Sequence, residues 1–220
     1  MNKEQILISS LFTIEEEYLK PLFDEQYPFQ VLPQIKQFIL DTIKNGLEGY
    51  TLLKEDVLVG KNVSISETST IIGPTIIGHD VEIRPGAYIR GSVIIGNKCV
   101  IGNSTEIKNA VLLNQVQVPH YNYVGDSILG KHAHLGAGVI LSNLKADNKN
   151  VVLHLETPLD TNLRKVGSFI GDYADIGCNS VLNPGTVIGK NTRVYPLTCV
   201  RGCFENNKII KSLTNIVDIN

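Results

Sequence analysis

Counting by six is what most constrains this chain. From Val59, steps of six residues land on Ile65, Ile71, Ile77, Ile83, Ile89, Ile95, Ile101, Ile107 and Leu113. The same step recurs in Leu129, Leu135 and Leu141, and again in Ile170, Ile176, Leu182, Ile188, Val194 and Val200. Neither the 3.6-residue helical period nor simple strand alternation produces this pattern over such a stretch. A coil of short strands does, if each unit supplies one strand and one corner and its aliphatic residue points to the axis. Glycine follows many of these residues, as at Gly60, Gly78, Gly96, Gly102, Gly130, Gly136, Gly171, Gly177 and Gly189, where a small residue lets the chain turn. Three units per turn make a triangular prism in which each strand pairs with those one turn above and below. The expected fold is a mainly β, parallel β-helix, held together by neighbouring coils. Its open ends are bare sheet edges, so terminal caps are expected.

Residues 1–52 have another texture and are expected to form a small helical cap. Thr13 and Glu16 fit a capping box, and Pro33 suits the first turn of a helix. Leu32, Ile35, Phe38, Ile39 and Ile43 follow at helical spacing, and Gly46 is a candidate C-terminal stop. The coil is assigned to residues 53–204 and a polar tail to 205–220, the second candidate cap.

The balance of charges excludes several functions. With Lys+Arg 20 against Asp+Glu 22, the chain has no bulk basic character for non-specific nucleic-acid binding, so any anion site must be local. The four cysteines contain no CxxC pair and are too sparse for a disulfide framework, which points to buried, reduced thiols and a cytoplasmic setting. The apolar stretch at residues 6–12 is interrupted by Ser9 and Ser10 and followed by Glu15, Glu16 and Glu17, unlike a signal peptide. No run approaches the roughly 18 apolar residues of a membrane span, and no membrane partner is expected.

The six-residue beat is lost twice, and departures from a local rule tend to mark functional sites. Leu113 to Leu129 is a step of 16, across Val116 to Asp126; Leu141 to Ile170 is a step of 29, opening with Ser142, Asn143, Lys145, Asp147 and Lys149. The second is long enough for a loop, roughly 145–165, to leave the prism and reach a neighbouring molecule. The alternative for either break is an ordinary surface insertion.

These residues carry a resemblance. The hexapeptide beat, with Arg84-Pro-Gly, Glu106-Ile-Lys108, His120-Tyr-Asn-Tyr123-Val-Gly-Asp126, Leu135-Gly-Ala-Gly138 and Ser142-Asn143 through Lys149, resembles the acetyltransferase domain of bacterial N-acetylglucosamine-1-phosphate uridylyltransferase/glucosamine-1-phosphate acetyltransferases. It is closer still to the C-terminal domains of archaeal sugar-1-phosphate nucleotidylyltransferase/acetyltransferases, over about residues 60–200. The resemblance implies a left-handed β-helix, a homotrimer with active sites between subunits, acetyl-CoA as donor and an amino-sugar 1-phosphate as acceptor, glucosamine 1-phosphate being favoured, in UDP-N-acetylhexosamine biosynthesis.

It also implies roles. Histidine suits a base near neutral pH, and His120 is the candidate that accepts the proton of the attacking amine. Tyr123 resembles the tyrosine beside the phosphate or reacting centre, Asn143 the asparagine holding the sugar amine, and Lys149 the lysine given in trans to the phosphate. Arg84 and Lys108 resemble the in-cis anion contacts, Arg90 being displaced by an extra unit, and His134 stands where a substrate-contacting asparagine is found. Ala137, Cys178 and Pro196 fall at pantetheine contacts. His132 and His134, two apart, would share one side of a strand, but zinc needs more ligands and no metal is expected. No GxGxxG or GxxxxGK[ST] occurs, so no uridylyltransferase half is expected here. Two other readings stand beside this one: a non-catalytic assembly or regulatory module, and a same-fold acetyltransferase with another acceptor, perhaps a hydroxyl.

Overall fold

The computed structural model describes residues 1–219, of which those from Val57 onward wind into a parallel β-helix with three faces. On the first face Val57, Thr75 and Val93 align 18 residues apart, and Val93, Ala110 and Ser127 align 17 apart. The second face runs from Ser64–Ile65 through Glu82–Ile83, Val100–Asn103, Gln117–His120, His134–Leu135 and Asp175–Ile176 to Arg193–Val194. The third includes Thr70–Ile71, Tyr88–Ile89, Ile140–Leu141, Val181–Leu182 and Cys199–Val200. Ile77, Ile83, Ile89, Ile95, Ile101, Ile107, Leu135, Leu141, Ile176, Leu182 and Ile188 fill the axis as the six-residue beat requires. Each such side chain contributes about 1.5–3 kcal/mol by leaving water.

Glycine at the first corner is a steric necessity, because coils touch backbone to backbone there. A Cβ on Gly78 would lie 2.7 Å from the carbonyl carbon of Gly96, and one on Gly96 would lie 2.7 Å from that of Leu113. The next corner residue takes the following coil's side chain as partner: Asn97 Oδ1 accepts from the His79 N–H at 2.7 Å, and Asn114 Oδ1 from the Asn97 N–H at 2.8 Å.

The first break in the beat is not an insertion. Val118 and Val124 occupy regular axial positions between Leu112 and Leu129, and Leu113 lies outside the axis in a second apolar cluster. The count fails because the corner between the third and first faces is one residue short in two successive coils. Asn109 (φ 46°) and Asp126 (φ 47°) turn it in the left-handed region, so Glu106–Leu112 and Tyr123–Leu129 run unbroken round the corner. The second break is an insertion at that same corner one coil later. It carries an antiparallel hairpin, Val152–Leu153 with Leu159–Asp160.

The amino-terminal segment lies along a flank and does not cap an end. Its side chains Ile6, Leu11, Phe12, Leu22, Phe29 and Ile35 bury the outward residues Leu58, Ile76, Ile94, Val111, Ile128 and Phe169 of the first face. The inserted segment turns its apolar side, Val151, Leu153 and Leu155, into the same cluster, so much of 145–165 folds onto its own chain. The ends are closed by strands: Thr51–Lys54 pairs antiparallel with Val57–Val59, and Lys208–Ser212 pairs with Asn215–Asp218.

Two local expectations fail for tertiary reasons. Thr13 caps no helix; its hydroxyl donates to Asp172 Oδ2 at 2.8 Å, while Glu16 Oε1 accepts from Asn97 Nδ2 at 2.7 Å, which ties the segment to the coil. Pro33 precedes helix Ile35–Asn45 by two residues instead of opening it, whereas Gly46 (φ 76°) ends that helix as expected. The thiols also divide: Cys99 is buried, but Cys178 and Cys199 are exposed. No helix among the described residues is long and apolar enough to cross a membrane.

Candidate functional site

With the first face covered, the edge opposite it, where the second face turns into the third, is the open apex of the prism. His120 stands on this edge, at the end of strand Gln117–His120. Leu135, Ile176 and Val194 align as axial residues of the coils above, so Ala137, Cys178 and Pro196, each two residues further on, stack over His120 on one edge. The backbone hydrogen bonds follow that stack. Gly138 N–H donates to the His120 carbonyl at 3.0 Å, Asn179 N–H to Ala137 at 2.8 Å and Leu197 N–H to Cys178 at 2.9 Å. The four residues therefore form a single rail whose positions are set by the coil itself. Beneath it, Gly102 is packed so tightly that a Cβ would lie 1.5 Å from the Pro119 carbonyl oxygen.

Tyr123 lies round this edge on the third face, half-buried, in register with Glu106 below and Ile140 above. Its ring folds over Gly125, whose Cβ would meet the Tyr123 Oη at 2.6 Å and Asn143 Nδ2 at 2.9 Å. Burial, then the charges of Asp126 and Glu106, hold the phenol above its ordinary range, so it remains a hydrogen-bond donor.

At the shortened corner, Asn109, Asp126 and Asn143 stack 17 residues apart. Asn109 Nδ2 donates to Asp126 Oδ1 at 2.8 Å, and Asn143 Nδ2 donates to the other carboxylate oxygen. Asp126 is only 5% exposed, a buried charge satisfied from both sides. With Nδ2 engaged, the Asn143 carbonyl oxygen is the end free to accept. Sequence reasoning did not select Asp126 as a site residue, although the spacing 109, 126, 143 is written in the chain.

The cationic candidates are spread more widely. Arg84 lies on the His120 edge two coils below, with Nε donating to Glu82 Oε1 at 2.9 Å. Lys108, half-buried, pairs in register with Gly125 on the third face. Arg90 donates to Glu106 Oε1 at 2.6 Å. Lys149 is exposed on the inserted segment, and among the described residues of one chain no hydrogen bond or ion pair links it to Tyr123 or Asn143; its N–H donates to Asp147 Oδ1 at 3.1 Å. His134 and His132 do not share a strand side: His132 occupies a corner (φ 58°) and stacks on Tyr173, whereas His134 Nδ1 lies 2.8 Å from Asp175 Oδ1 on the second face.

The GMPPB C-terminal domain family matches residues 71–163. A bifunctional sugar-1-phosphate nucleotidylyltransferase/acetyltransferase of Sulfurisphaera tokodaii is 34% identical over 152 residues, covering 69% of this chain and 38% of that protein. The bifunctional protein GlmU of Methanococcus maripaludis is 33% identical over 197 residues, covering 88% of this chain and 48% of that protein. Among solved structures, the acetyltransferase domain of PglB from Neisseria gonorrhoeae is 15% identical, with a TM-score of 0.40 over 90% of this chain and 75% of that one. The chain is thus a relative of the bifunctional sugar-1-phosphate nucleotidylyltransferase/acetyltransferases, and it spans less than half the length of either one matched here.

Proposed function

We propose that the chain transfers an acetyl group from acetyl-CoA to the amine of an amino-sugar 1-phosphate, glucosamine 1-phosphate being the favoured acceptor. The observation that carries this reading is the single hydrogen-bonded rail joining His120 to Ala137, Cys178 and Pro196. An extended thioester arm laid along that edge ends beside an imidazole, with Tyr123 and Asn143 round the corner.

The residues divide the work as follows. The Asn143 carbonyl accepts from the sugar amine and orients its lone pair. His120 takes the proton released as the new C–N bond forms and the C–S bond breaks, and returns it to the departing thiolate. Tyr123 donates to the phosphate or the reacting centre, while Lys108 and Arg84 supply positive charge in cis. Lys149, exposed on its segment, is suited to serve a neighbouring subunit, consistent with a homotrimer. Holding amine and thioester together contributes more than proton transfer, so most of the rate rests on positioning.

Release of free CoA thiol, measured across glucosamine 1-phosphate, galactosamine 1-phosphate and hydroxyl acceptors, tests the reading. Turnover with an amino-sugar 1-phosphate that falls by about 10²–10⁴ in His120→Ala, with the fold retained, is the expected result. Near wild-type kcat in that variant removes His120 from the mechanism, and no thiol release with any acceptor leaves a non-catalytic assembly module.

A further inference from the structure

The inserted hairpin overhangs the corner between the third and first faces and forms one wall of an open cavity of about 820 Å³. Ser142, Asn183 and Arg201, from successive coils, and the loop residues Lys145, Asp147 and His154 form its polar lining. Leu144, Val152, Pro158 and Pro184 form apolar walls. His120, Tyr123, Asn143 and Lys149 do not line it, and it lies round the third face from the His120 edge.

Its charges are unusual. Arg201 has no carboxylate within ion-pair distance among the described residues; its guanidinium lies 3.1 Å from His154 Nε2. For Arg201 to donate there, the imidazole must be neutral, and burial followed by the charges of Arg201 and Lys145 lowers the His154 pKa. The guanidinium's remaining N–H groups and its full charge therefore stay available. Asp147, the carboxylate of the lining, is already engaged by Lys145 Nζ at 3.3 Å and by the Lys149 N–H at 3.1 Å; Lys145 Nζ also donates to the Asn150 carbonyl at 3.3 Å, which leaves one of its three N–H groups for the cavity.

We propose that this cavity is a second binding site, for a small organic phosphate, with Arg201 and Lys145 taking the phosphate oxygens and Val152, Pro158 and Pro184 the organic body. A guanidinium fork and an ammonium approaching from different elements match an anion with several acceptor oxygens. Proline and valine walls give no reason for a bare inorganic ion and favour one attached to a base or sugar. The proposal does not rest on acetyl transfer.

Calorimetric titration of the full chain at low ionic strength tests it, with inorganic phosphate, uridine 5′-monophosphate and uridine as probes. The nucleotide should bind more tightly than phosphate or uridine. Arg201→Gln should weaken nucleotide binding roughly tenfold or more, with Lys145→Gln as the second variant and Lys108→Gln binding as the parent does. The proposal is overturned if the nucleotide fails to bind up to about 10 mM. It is equally overturned if uridine binds as tightly as the nucleotide, or if Lys108→Gln abolishes binding that Arg201→Gln and Lys145→Gln keep.

Discussion

Asn143 donates its side-chain amide to the buried carboxylate of Asp126, one coil below it at the shortened corner. This contact decides which end of the Asn143 amide faces outward. Asp126→Asn replaces a charged acceptor with a group that can present N–H instead, so the Asn143 amide loses its fixed orientation. We expect kcat/KM for the proposed acetyl transfer to fall between about tenfold and a hundredfold. Gly125→Ala should do comparable harm, because the added methyl would press on both the Tyr123 hydroxyl and the Asn143 amide. Steady-state kinetics beside a thermal midpoint checks both; a loss of activity in step with a loss of folded protein would refute the positioning role.

Gly102→Ala should be among the most damaging small substitutions in the chain. The added methyl meets a backbone carbonyl, not a side chain that can swing away, so two coils must separate just beneath His120. A loss of about 3 kcal/mol or more is expected from urea unfolding. Gly46→Ala serves as a comparison, since nothing lies within 4 Å of its Cβ position and only the positive φ opposes it.

Glu15 gives the fold a dependence on acid pH. Hydrogen bonds from Lys131 and Asn114, the first larger, hold its carboxyl below the usual carboxylate range despite partial burial. A carboxyl depressed in the folded state stabilises above its unfolded pKa, near 4.3, and that stabilisation is lost as pH falls through the lower folded value. Thermal midpoints of the parent and Glu15→Gln should therefore differ most at neutral pH, begin to approach each other as pH falls past the unfolded value, and converge only below the lower folded one. Parallel curves would remove this ion pair from the account.

The exposed thiols offer a direct test of the proposed acetyl-CoA edge. Iodoacetamide should modify Cys178 and Cys199 and leave Cys99, which is fully buried with its thiol pushed up to about 12. Saturating CoA should slow modification at Cys178, on the His120 edge, and spare Cys199, on the third face. Peptide mass spectrometry separates the two sites. Equal rates at Cys178 with and without CoA would take the arm off this edge.

The prism was legible in the chain because its cause is local. Each axial aliphatic and each corner glycine answers to a contact that recurs every coil, so counting finds it. The same counting misread Leu113 as axial, because a coil shortened by one residue at Asn109 looks identical to an insertion until the partner strands are known. The tie between Thr13 and Asp172 spans 159 residues, and no local pattern announces it. His120, Tyr123 and Asn143 are candidates on motif resemblance, not on counting. Asp126 stood inside that motif, yet its part became visible only when the side chains above and below it were stacked.

The rail above His120 is also a ruler. Coils repeat about every 4.8 Å along the axis, so adding or removing one whole coil between Ala137 and Pro196 would preserve each local contact. It would nonetheless slide the far end of the edge by one strand spacing relative to the imidazole. Any extended molecule anchored near Pro196 would then offer a different atom to His120. The number of coils is therefore a setting for reach, adjustable in whole steps and protected from gradual drift by the same backbone hydrogen bonds that hold the prism together.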